Sequence, residues 1–205
     1  MSCRLDRCVA AALGEVESRF ARVRAGVDIG FADAAASQAF RAARGGVWMT
    51  VEADAAARDR VAGALDPKTV LTMGAGGEMP FDDHQFEIAV VSASLLCGDR
   101  RMADAVVRET HRILQGGGCL VFSVDTGSPE GAGFTQRGVY ELLRDGFDVV
   151  GLKRPAWWKF GLGGRALTVC ARRKNWRSRS APIVGEALPV SSAMLSPRDR
   201  KGGVR

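Results

Sequence analysis

The segment Val27-Asp28-Ile29-Gly30-Phe31-Ala32-Asp33-Ala34 combines residue types that could hold a ligand. An apolar run that ends at Gly30 and continues in small residues predicts a strand, a tight turn and then a helix. Such a turn brings backbone amides close to a ligand at the helix N-terminus, provided that the side chains are small. Ala32 and Ala34 stand where dinucleotide-binding folds often have glycine, so both a binding turn and a purely structural turn remain open.

A second candidate group is Glu52, which ends the run Val47–Val51 and lies 24 residues after Asp28. A carboxylate at the end of the second strand can accept hydrogen bonds from both ribose hydroxyls of an adenosine. Glu52 and Asp54 could equally act as negative charges at the N-terminus of the following helix. The spacing favours the ribose role for Glu52 and leaves the helix role open.

Two longer blocks, Gly77–Val90 and Arg108–Leu120, follow along the chain. Met79-Pro80-Phe81 in the first block predicts a turn that packs against the sheet. Glu109 and Arg112 in the second block stand at the i,i+3 spacing of a helix and can pair. By residue chemistry alone, both blocks indicate a fold more directly than a reaction.

Taken together, the turn at Val27–Gly30, the pair Val51-Glu52 and the two blocks resemble the class I S-adenosylmethionine-dependent methyltransferases. Within them, the chain is most similar to the small-molecule ubiquinone/menaquinone methyltransferase-like group, methyltransferase type 11. The first block resembles the family's "LPF, acidic turn, FD-V" block, and the second resembles its "E-x-x-R-V-L-x-P-G-G" block. The resemblance spans roughly Val27 to Val124 and implies an enzyme that transfers a methyl group to a small or lipid-like acceptor.

The resemblance also implies which residues would meet S-adenosyl-L-methionine. Gly30, Phe31 and Ala32 would line its methionine end, Glu52 would hold the ribose, and Ala53 would touch the adenine. The full set of cofactor-binding residues implied in this way is Asp28, Gly30, Phe31, Ala32, Glu52, Ala53, Ala75, Gly76 and Ser92.

One position departs from the family pattern. The family commonly has an Asp after the third strand that binds the adenine amino group, and Ala75 stands at that position here. Losing this acceptor would cost about 1 to 3 kcal/mol if the amino group stayed unpaired, and little if a backbone carbonyl or water replaced it. No catalytic residue is implied, because methyl transfer depends mainly on holding the acceptor in line with the methyl group.

The elements that would position these residues alternate between strands and helices, which predicts a parallel sheet with right-handed crossovers. The predicted strands are Gly26–Ile29, Val47–Val51, Thr69–Met73, Glu87–Val91, Cys119–Val124, Phe147–Leu152 and Ala166–Cys170. The predicted helices are Ala34–Ala43, Ala55–Leu65, Met102–Leu114 and Phe134–Leu143, with Gly116-Gly117-Gly118 as the cap of the third. We therefore expect an α/β, Rossmann-like seven-stranded sheet with helices on both faces and a C-terminal antiparallel hairpin.

Three regions are expected along the 205 residues. An amphipathic helix at Leu5–Val23 would fill an N-terminal region of residues 1–25, ahead of a methyltransferase-like domain at 26–174 and a basic tail at 175–205. Within the domain, Trp157, Trp158 and Phe160 could cover a hydrophobic substrate, form a partner surface, or simply be buried in the hairpin.

The net charge of +6 comes from the end of the chain. The last 35 residues hold nine Lys/Arg and two Asp/Glu, which leaves 20 basic and 21 acidic groups in the remainder. A basic tail can be drawn to nucleic acid or to an anionic surface, and it can also be a solvated end.

Five scattered cysteines and two histidines predict neither a metal site nor a disulfide framework. The sequence has no transmembrane segment and no secretory signal, so we expect a cytoplasmic protein.

Three functions remain open at this point. The first is the active methyltransferase, and the second is a methyltransferase-like binding or assembly module without activity, which Ala32, Ala34 and Ala75 motivate. The third is a nucleic-acid methyltransferase anchored by its tail. An NAD-dependent oxidoreductase fits the glycine block before the fifth strand less well.

Overall fold

The computed structural model describes residues 24–44, 46–97, 99–125, 135–153 and 166–174. The strands within these ranges are β1 (Ala25–Ile29), β2 (Val47–Glu52), β3 (Val70–Thr72), β4 (Phe86–Val91), β5 (Leu114–Asp125), β6 (Phe147–Lys153) and β7 (Ala166–Arg173). They form one sheet in the order β3-β2-β1-β4-β5-β7-β6.

The helices connect these strands. They are α1 (Ala34–Arg44), α2 (Ala55–Ala62), α3 (Ala93–Cys97), α4 (Arg100–Ile113) and α5 (Gln136–Leu143), with a 3₁₀ helix at Pro67–Thr69. Asp54, Asp99 and Thr135 are the N-caps of α2, α4 and α5, and each side chain accepts a hydrogen bond from a backbone N–H of the first turn. Because these caps satisfy N–H groups that lack partners within the helix, they fix where each helix begins.

Strands β1 to β5 pair in parallel, whereas β7 pairs antiparallel with both β5 and β6. The expected C-terminal antiparallel hairpin is therefore confirmed. The chain runs from β1 outward to β2 and β3 and then returns to β4 on the other side of β1. Strand order thus reverses beside β1, and in open α/β sheets ligands bind outside the carboxyl ends of the strands at such a reversal.

The sheet is covered on both faces. One hydrophobic cluster joins the sheet to α1 and includes Phe40, Trp48 and Val121, all of them buried. The other cluster joins the opposite face to α3, α4 and α5 through buried residues such as Leu96, Val106 and Leu143. The expected α/β, Rossmann-like seven-stranded architecture is confirmed. In the part of the chain that the structure describes, no helix is both long and apolar enough to cross a membrane.

Several predicted boundaries were wrong. Helix α4 ends at Ile113 and β5 begins at Leu114, so the glycine run does not cap the helix, although Gly117 has a φ of +81°. The reason is that Leu114 is fully buried and pairs with Phe86, which draws the backbone into the sheet before the glycines. Helix α3 and the 3₁₀ helix were not predicted.

Some predictions fall on residues outside the described ranges. These are the N-terminal helix at Leu5–Val23, the aromatic segment around Trp157 and Trp158, and the basic tail after Lys174. The division into three regions accordingly stays a prediction.

Arg112 on α4 holds the turn of residues 79–83 against the helix. Its guanidinium donates to the carbonyl oxygens of Phe81 at 2.7 Å and Met79 at 2.9 Å, and to the Glu109 carboxylate at 2.8 Å. Glu109 in turn accepts the Met79 N–H at 3.0 Å, and the Arg112 hydrogen bond keeps the pKa of Glu109 below its usual range. The predicted Glu109–Arg112 pair is confirmed, and its physical use is to supply donors for the turn before β4.

We predict that Arg112→Met lowers the free energy of unfolding by about 2 to 4 kcal/mol, because two backbone carbonyls and a carboxylate lose their donor. Urea denaturation followed by far-ultraviolet circular dichroism measures this loss. Arg100→Met on the same helix is the matched control, because Arg100 pairs only with the exposed Asp104 among the contacts described. The control should lose less than about 0.5 kcal/mol, and equal losses in both variants would contradict the role given to Arg112.

Candidate cofactor-binding site

The site is built where the backbone leaves β1, β2 and β4. The N–H of Gly30 donates to the Val51 carbonyl at 2.7 Å, and the N–H of Ser92 donates to the Ile29 carbonyl at 2.9 Å. On the outer side, the N–H of Met73 donates to the Glu52 carbonyl at 2.9 Å. These hydrogen bonds continue the sheet pairing past the strand ends. They bring Gly30, Glu52 and Ser92 together at the carboxyl ends of the three strands.

Glu52 is a buried carboxylate with few hydrogen-bond donors among the residues that the structure describes. Its side chain is fully buried, and both oxygens face the N–H of Ala32, at 3.1 and 3.0 Å. Burial raises the pKa of Glu52 to about 7, the Ala32 hydrogen bond opposes this rise, and the negative charge of Asp28 adds to it. A carboxylate can accept about four hydrogen bonds, so one shared N–H leaves most of its capacity unused.

Helix α2 does not need Glu52. Its N-cap is Asp54, whose carboxylate accepts the Ala57 N–H at 2.7 Å. Of the two roles that the sequence left open for these acids, Asp54 takes the helix role. Glu52 points toward the turn after β1 instead, as its bond to Ala32 demonstrates.

Asp28 is also fully buried, but it is well supplied with donors. It accepts the hydroxyl protons of Ser37 at 2.6 Å and Thr50 at 3.1 Å, and Thr50 in turn accepts from Arg41 at 2.8 Å. Burial raises the pKa of Asp28 to about 6, while the Ser37 and Thr50 bonds and the charge of Arg41 lower it. Asp28 therefore ties β1 to α1 and β2 and positions the turn that follows it.

The turn itself has two residues in the left-handed region. Gly30 has a φ of +73°, and a Cβ there would lie 2.2 Å from the Leu95 Cδ1 atom on α3, so a side chain at this position would be strained and would displace Leu95. Ala32 has a φ of +51°, which is strained for a residue with a side chain. Phe31 packs edge-on against Phe40, with ring centroids 5.1 Å apart, and so anchors the turn to α1.

Ser92 lies beside this turn. Its hydroxyl is 2.9 Å from the hydroxyl of Ser94, and Ser94 donates to the Gly30 carbonyl at 3.4 Å. The two serines therefore place hydroxyl groups at the same strand edge as Glu52.

The predicted residues thus divide into two groups. The structure brings together Asp28, Gly30, Ala32, Glu52 and Ser92, with Phe31 turned toward α1. Ala53, Ala75 and Gly76 are exposed and follow the ends of β2 and β3.

Sequence reasoning gave no role to Ser37, Arg41, Thr50 and Leu95. Ser37 and Arg41 are four residues apart on α1, and this helical spacing is the signal that could have placed both against the polar residues of β1 and β2.

A scan against protein families finds no match for this sequence, and a search of curated proteins finds none either. Solved structures do match. One is the Burkholderia thailandensis 1,6-didemethyltoxoflavin-N1-methyltransferase with bound 1,6-didemethyltoxoflavin and S-adenosylhomocysteine, at a TM-score of 0.62 and 20% identity over 83% of this chain and 78% of that one.

Two further structures illustrate the range of the likeness. A SAM-dependent methyltransferase from Methanosarcina mazei matches at a TM-score of 0.57 and 16% identity, over 75% of this chain and 93% of that one. The [4+2]-cyclase SpnF matches at a TM-score of 0.59 and 16% identity, over 82% and 80%. At such identities the likeness concerns the fold, and this chain has the class I methyltransferase fold.

Proposed function

We propose that this protein binds S-adenosyl-L-methionine at the carboxyl edge of β1 and β2 and transfers its methyl group to a small or lipid-like acceptor. The observation that carries the proposal is the buried Glu52 carboxylate, whose two oxygens share a single backbone N–H as their donor among the described residues. We further propose that the protein belongs to the ubiquinone/menaquinone methyltransferase-like group, on the strength of the sequence blocks at Gly77–Val90 and Arg108–Leu120.

The donor balance at Glu52 suits a ribose. A buried carboxylate that lacks donors is unfavourable, and a vicinal diol supplies two hydroxyl donors with a spacing that matches the two carboxylate oxygens. Asp28, one strand away, already has its donors from Ser37 and Thr50 and has no comparable need. Of the two buried acids, Glu52 is therefore the one available to a ligand.

The neighbouring groups suit the rest of such a cofactor. Gly30 keeps the turn after β1 narrow, and the hydroxyls of Ser92 and Ser94 stand beside its carbonyl group. In this proposal the turn at Gly30–Ala32 lies along the methionine end and Ser92 faces the methyl donor. Ala53, Ala75 and Gly76 border the adenine.

The ribose must gain access to a carboxylate that has no exposed surface. Ala32 is the residue that lies against the Glu52 carboxylate. Its left-handed backbone conformation stores about 1 to 2 kcal/mol of strain. Displacing the turn breaks one hydrogen bond and relieves this strain, so exchanging the Ala32 N–H for two hydroxyls is favourable for Glu52.

When bound, the cofactor supplies a methyl group activated by its sulfonium. The protein's part is to hold the acceptor in line with that methyl group and to exclude water. We assign no general base. The proposed domain runs from β1 to residue 174, with an N-terminal region that contains a helix at Leu5–Val23 before it and a basic tail at 175–205 after it.

The alternative is a methyltransferase-like binding or assembly module without turnover. The same contact motivates it, because the Ala32 N–H already occupies Glu52 and the family's glycines are alanine at positions 32 and 34. A nucleic-acid methyltransferase anchored by its basic tail is a further alternative that rests on the charge count alone.

We predict that the protein binds S-adenosylhomocysteine with a micromolar dissociation constant in isothermal titration calorimetry. Glu52→Gln should weaken this binding about 10- to 100-fold, because hydroxyl bonds to a charged acceptor contribute about 1.5 to 3 kcal/mol. Glu87→Gln is the matched control, since Glu87 accepts the Arg24 N–H at the opposite end of the sheet, and it should bind as the wild type does. If the wild-type protein gives no heat of binding at high concentration, both the small-molecule methyltransferase and the nucleic-acid methyltransferase are excluded.

Loss of binding in Glu52→Gln must not reflect unfolding. The folded-state pKa of Glu52 is raised to about 7 from 4.5, so its contribution to stability is fully present below about pH 4.5 and is lost as the pH rises through 7. The neutral side chain of the glutamine variant does not carry the free-energy cost of burying an ionised carboxylate. At pH 8 it should be at least as stable as the wild type, which thermal denaturation of the two proteins measures.

Binding should also depend on pH, because ribose hydroxyls stabilise the ionised form of Glu52. With a pKa of about 7 in the free protein, the affinity for S-adenosylhomocysteine should rise about 10-fold between pH 6 and 8. About half a proton should be released on binding at pH 7, which titrations in buffers of different ionisation enthalpy detect. Glu52→Gln should show neither effect, and a retained pH slope would assign the titration to another group such as Asp28.

A further inference from the structure

The turn after β3 contains a carboxylate to which the sequence pattern gave no role. Residues 74–78 form a closed turn, in which the Gly74 N–H donates to the Glu78 carbonyl at 2.8 Å and the Gly77 N–H donates to the Gly74 carbonyl at 2.9 Å. The Glu78 side chain folds back over this turn, and one of its oxygens accepts the Gly76 N–H at 3.0 Å. The carboxylate is therefore fixed on the turn while the residue stays exposed.

Two glycines make room for this arrangement. A Cβ at Gly74 would lie 2.5 Å from one carboxylate oxygen of Glu78, and a Cβ at Gly76 would lie 2.4 Å from the other. Contacts below 3.0 Å do not occur for real Cβ atoms, so the carboxylate occupies the space that side chains at 74 and 76 would take. Its position above the turn thus depends on the sequence Gly-Ala-Gly-Gly-Glu.

The turn is adjacent to the proposed ribose site. Thr72 on β3 is the register partner of Glu52, and the next residue, Met73, donates its N–H to the Glu52 carbonyl at 2.9 Å. Neighbouring strands lie about 4.8 Å apart. An adenine attached to a ribose at Glu52 therefore reaches the turn of residues 74–78, which begins directly after Met73. Ala75, the position without an acceptor of its own, lies between the two glycines that border the Glu78 carboxylate.

We propose that Glu78 supplies the acceptor that Ala75 lacks and accepts a hydrogen bond from the exocyclic amino group of the adenine. This inference rests on the proposed cofactor site at Glu52. With the Gly76 N–H as its one donor among the hydrogen bonds described, the carboxylate keeps acceptor capacity for an amino group. A 6-oxo purine presents an oxygen at the same place, which the carboxylate repels, so Glu78 makes the site specific for adenine.

The test compares S-adenosylhomocysteine with S-inosylhomocysteine, which carries an oxygen in place of the amino group, by isothermal titration calorimetry. The wild type should bind the adenosyl compound about 10-fold or more tightly than the inosyl compound. Glu78→Ala should reduce this ratio to about 1 to 3. Glu78→Gln keeps an acceptor for the Gly76 N–H and can also donate to the inosyl oxygen, so it should narrow the ratio while preserving the turn.

A second variant, Gly76→Ala, displaces the Glu78 carboxylate without removing it. Gly76→Ala forces the carboxylate away from the turn and should lower the ratio as Glu78→Ala does, whereas Gly63→Ala has ordinary contacts of 3.7 Å or more and should leave it unchanged. Asp82→Ala, which removes an exposed carboxylate bonded to Gln85, is the matched control for the loss of charge.

The outcomes separate the two proposals. A wild-type ratio near 1, or variants at 78 and 76 that weaken both compounds by the same factor, would overturn the assignment of Glu78 and leave the cofactor site intact. Wild-type protein that binds neither compound would overturn the proposed function, and the assignment of Glu78 with it.

Discussion

Burying a carboxylate is unfavourable unless hydrogen-bond donors surround it, and this sheet buries two at neighbouring strand ends. Asp28 receives hydroxyl donors from Ser37 and Thr50, and these bonds hold β1, α1 and β2 in register around it. Glu52 receives one backbone N–H from the strained turn at Ala32. The Asp28 carboxylate therefore has a structural role, whereas the Glu52 carboxylate keeps acceptor capacity for a ligand. The two groups differ in the number of hydrogen-bond donors that they receive.

The two sequence blocks that resemble the methyltransferase family contact each other in the structure, and this contact explains their residue pattern. Glu109 and Arg112 lie on α4, and together they satisfy the backbone of Met79 and Phe81. The apolar residues of that turn then pack inward, as the edge-on contact of Phe81 with Phe86 illustrates. Because the turn also follows directly on the loop that carries Glu78, this contact between α4 and the turn supports the outer rim of the site.

Much of the fold could be predicted because apolar runs and glycine-rich breaks are local signals. The strand at Gly26–Ile29 and the Glu109–Arg112 pair followed from local patterns, and so did the position of Glu52 at the end of the second strand. Other features depend on backbone conformations and side-chain contacts that the order of residue types does not reveal. The bond of Ala32 to Glu52 needs a left-handed alanine, and the position of Glu78 depends on two absent Cβ atoms. Helix α3 is five residues long, too short for periodicity to indicate.

The place of β7 has a consequence for how the chain reaches this fold. Although β7 is the last strand in the described sequence, it lies inside the sheet between β5 and β6. During synthesis β5 therefore keeps an open hydrogen-bonding edge until Arg173 has left the ribosome, and pairing over such a sequence distance forms slowly. An open edge of this kind can pair with other chains. Truncation within residues 166–173 would leave β6 without its partner in the sheet and β5 with one open edge, so aggregation during synthesis is the hazard that this topology carries.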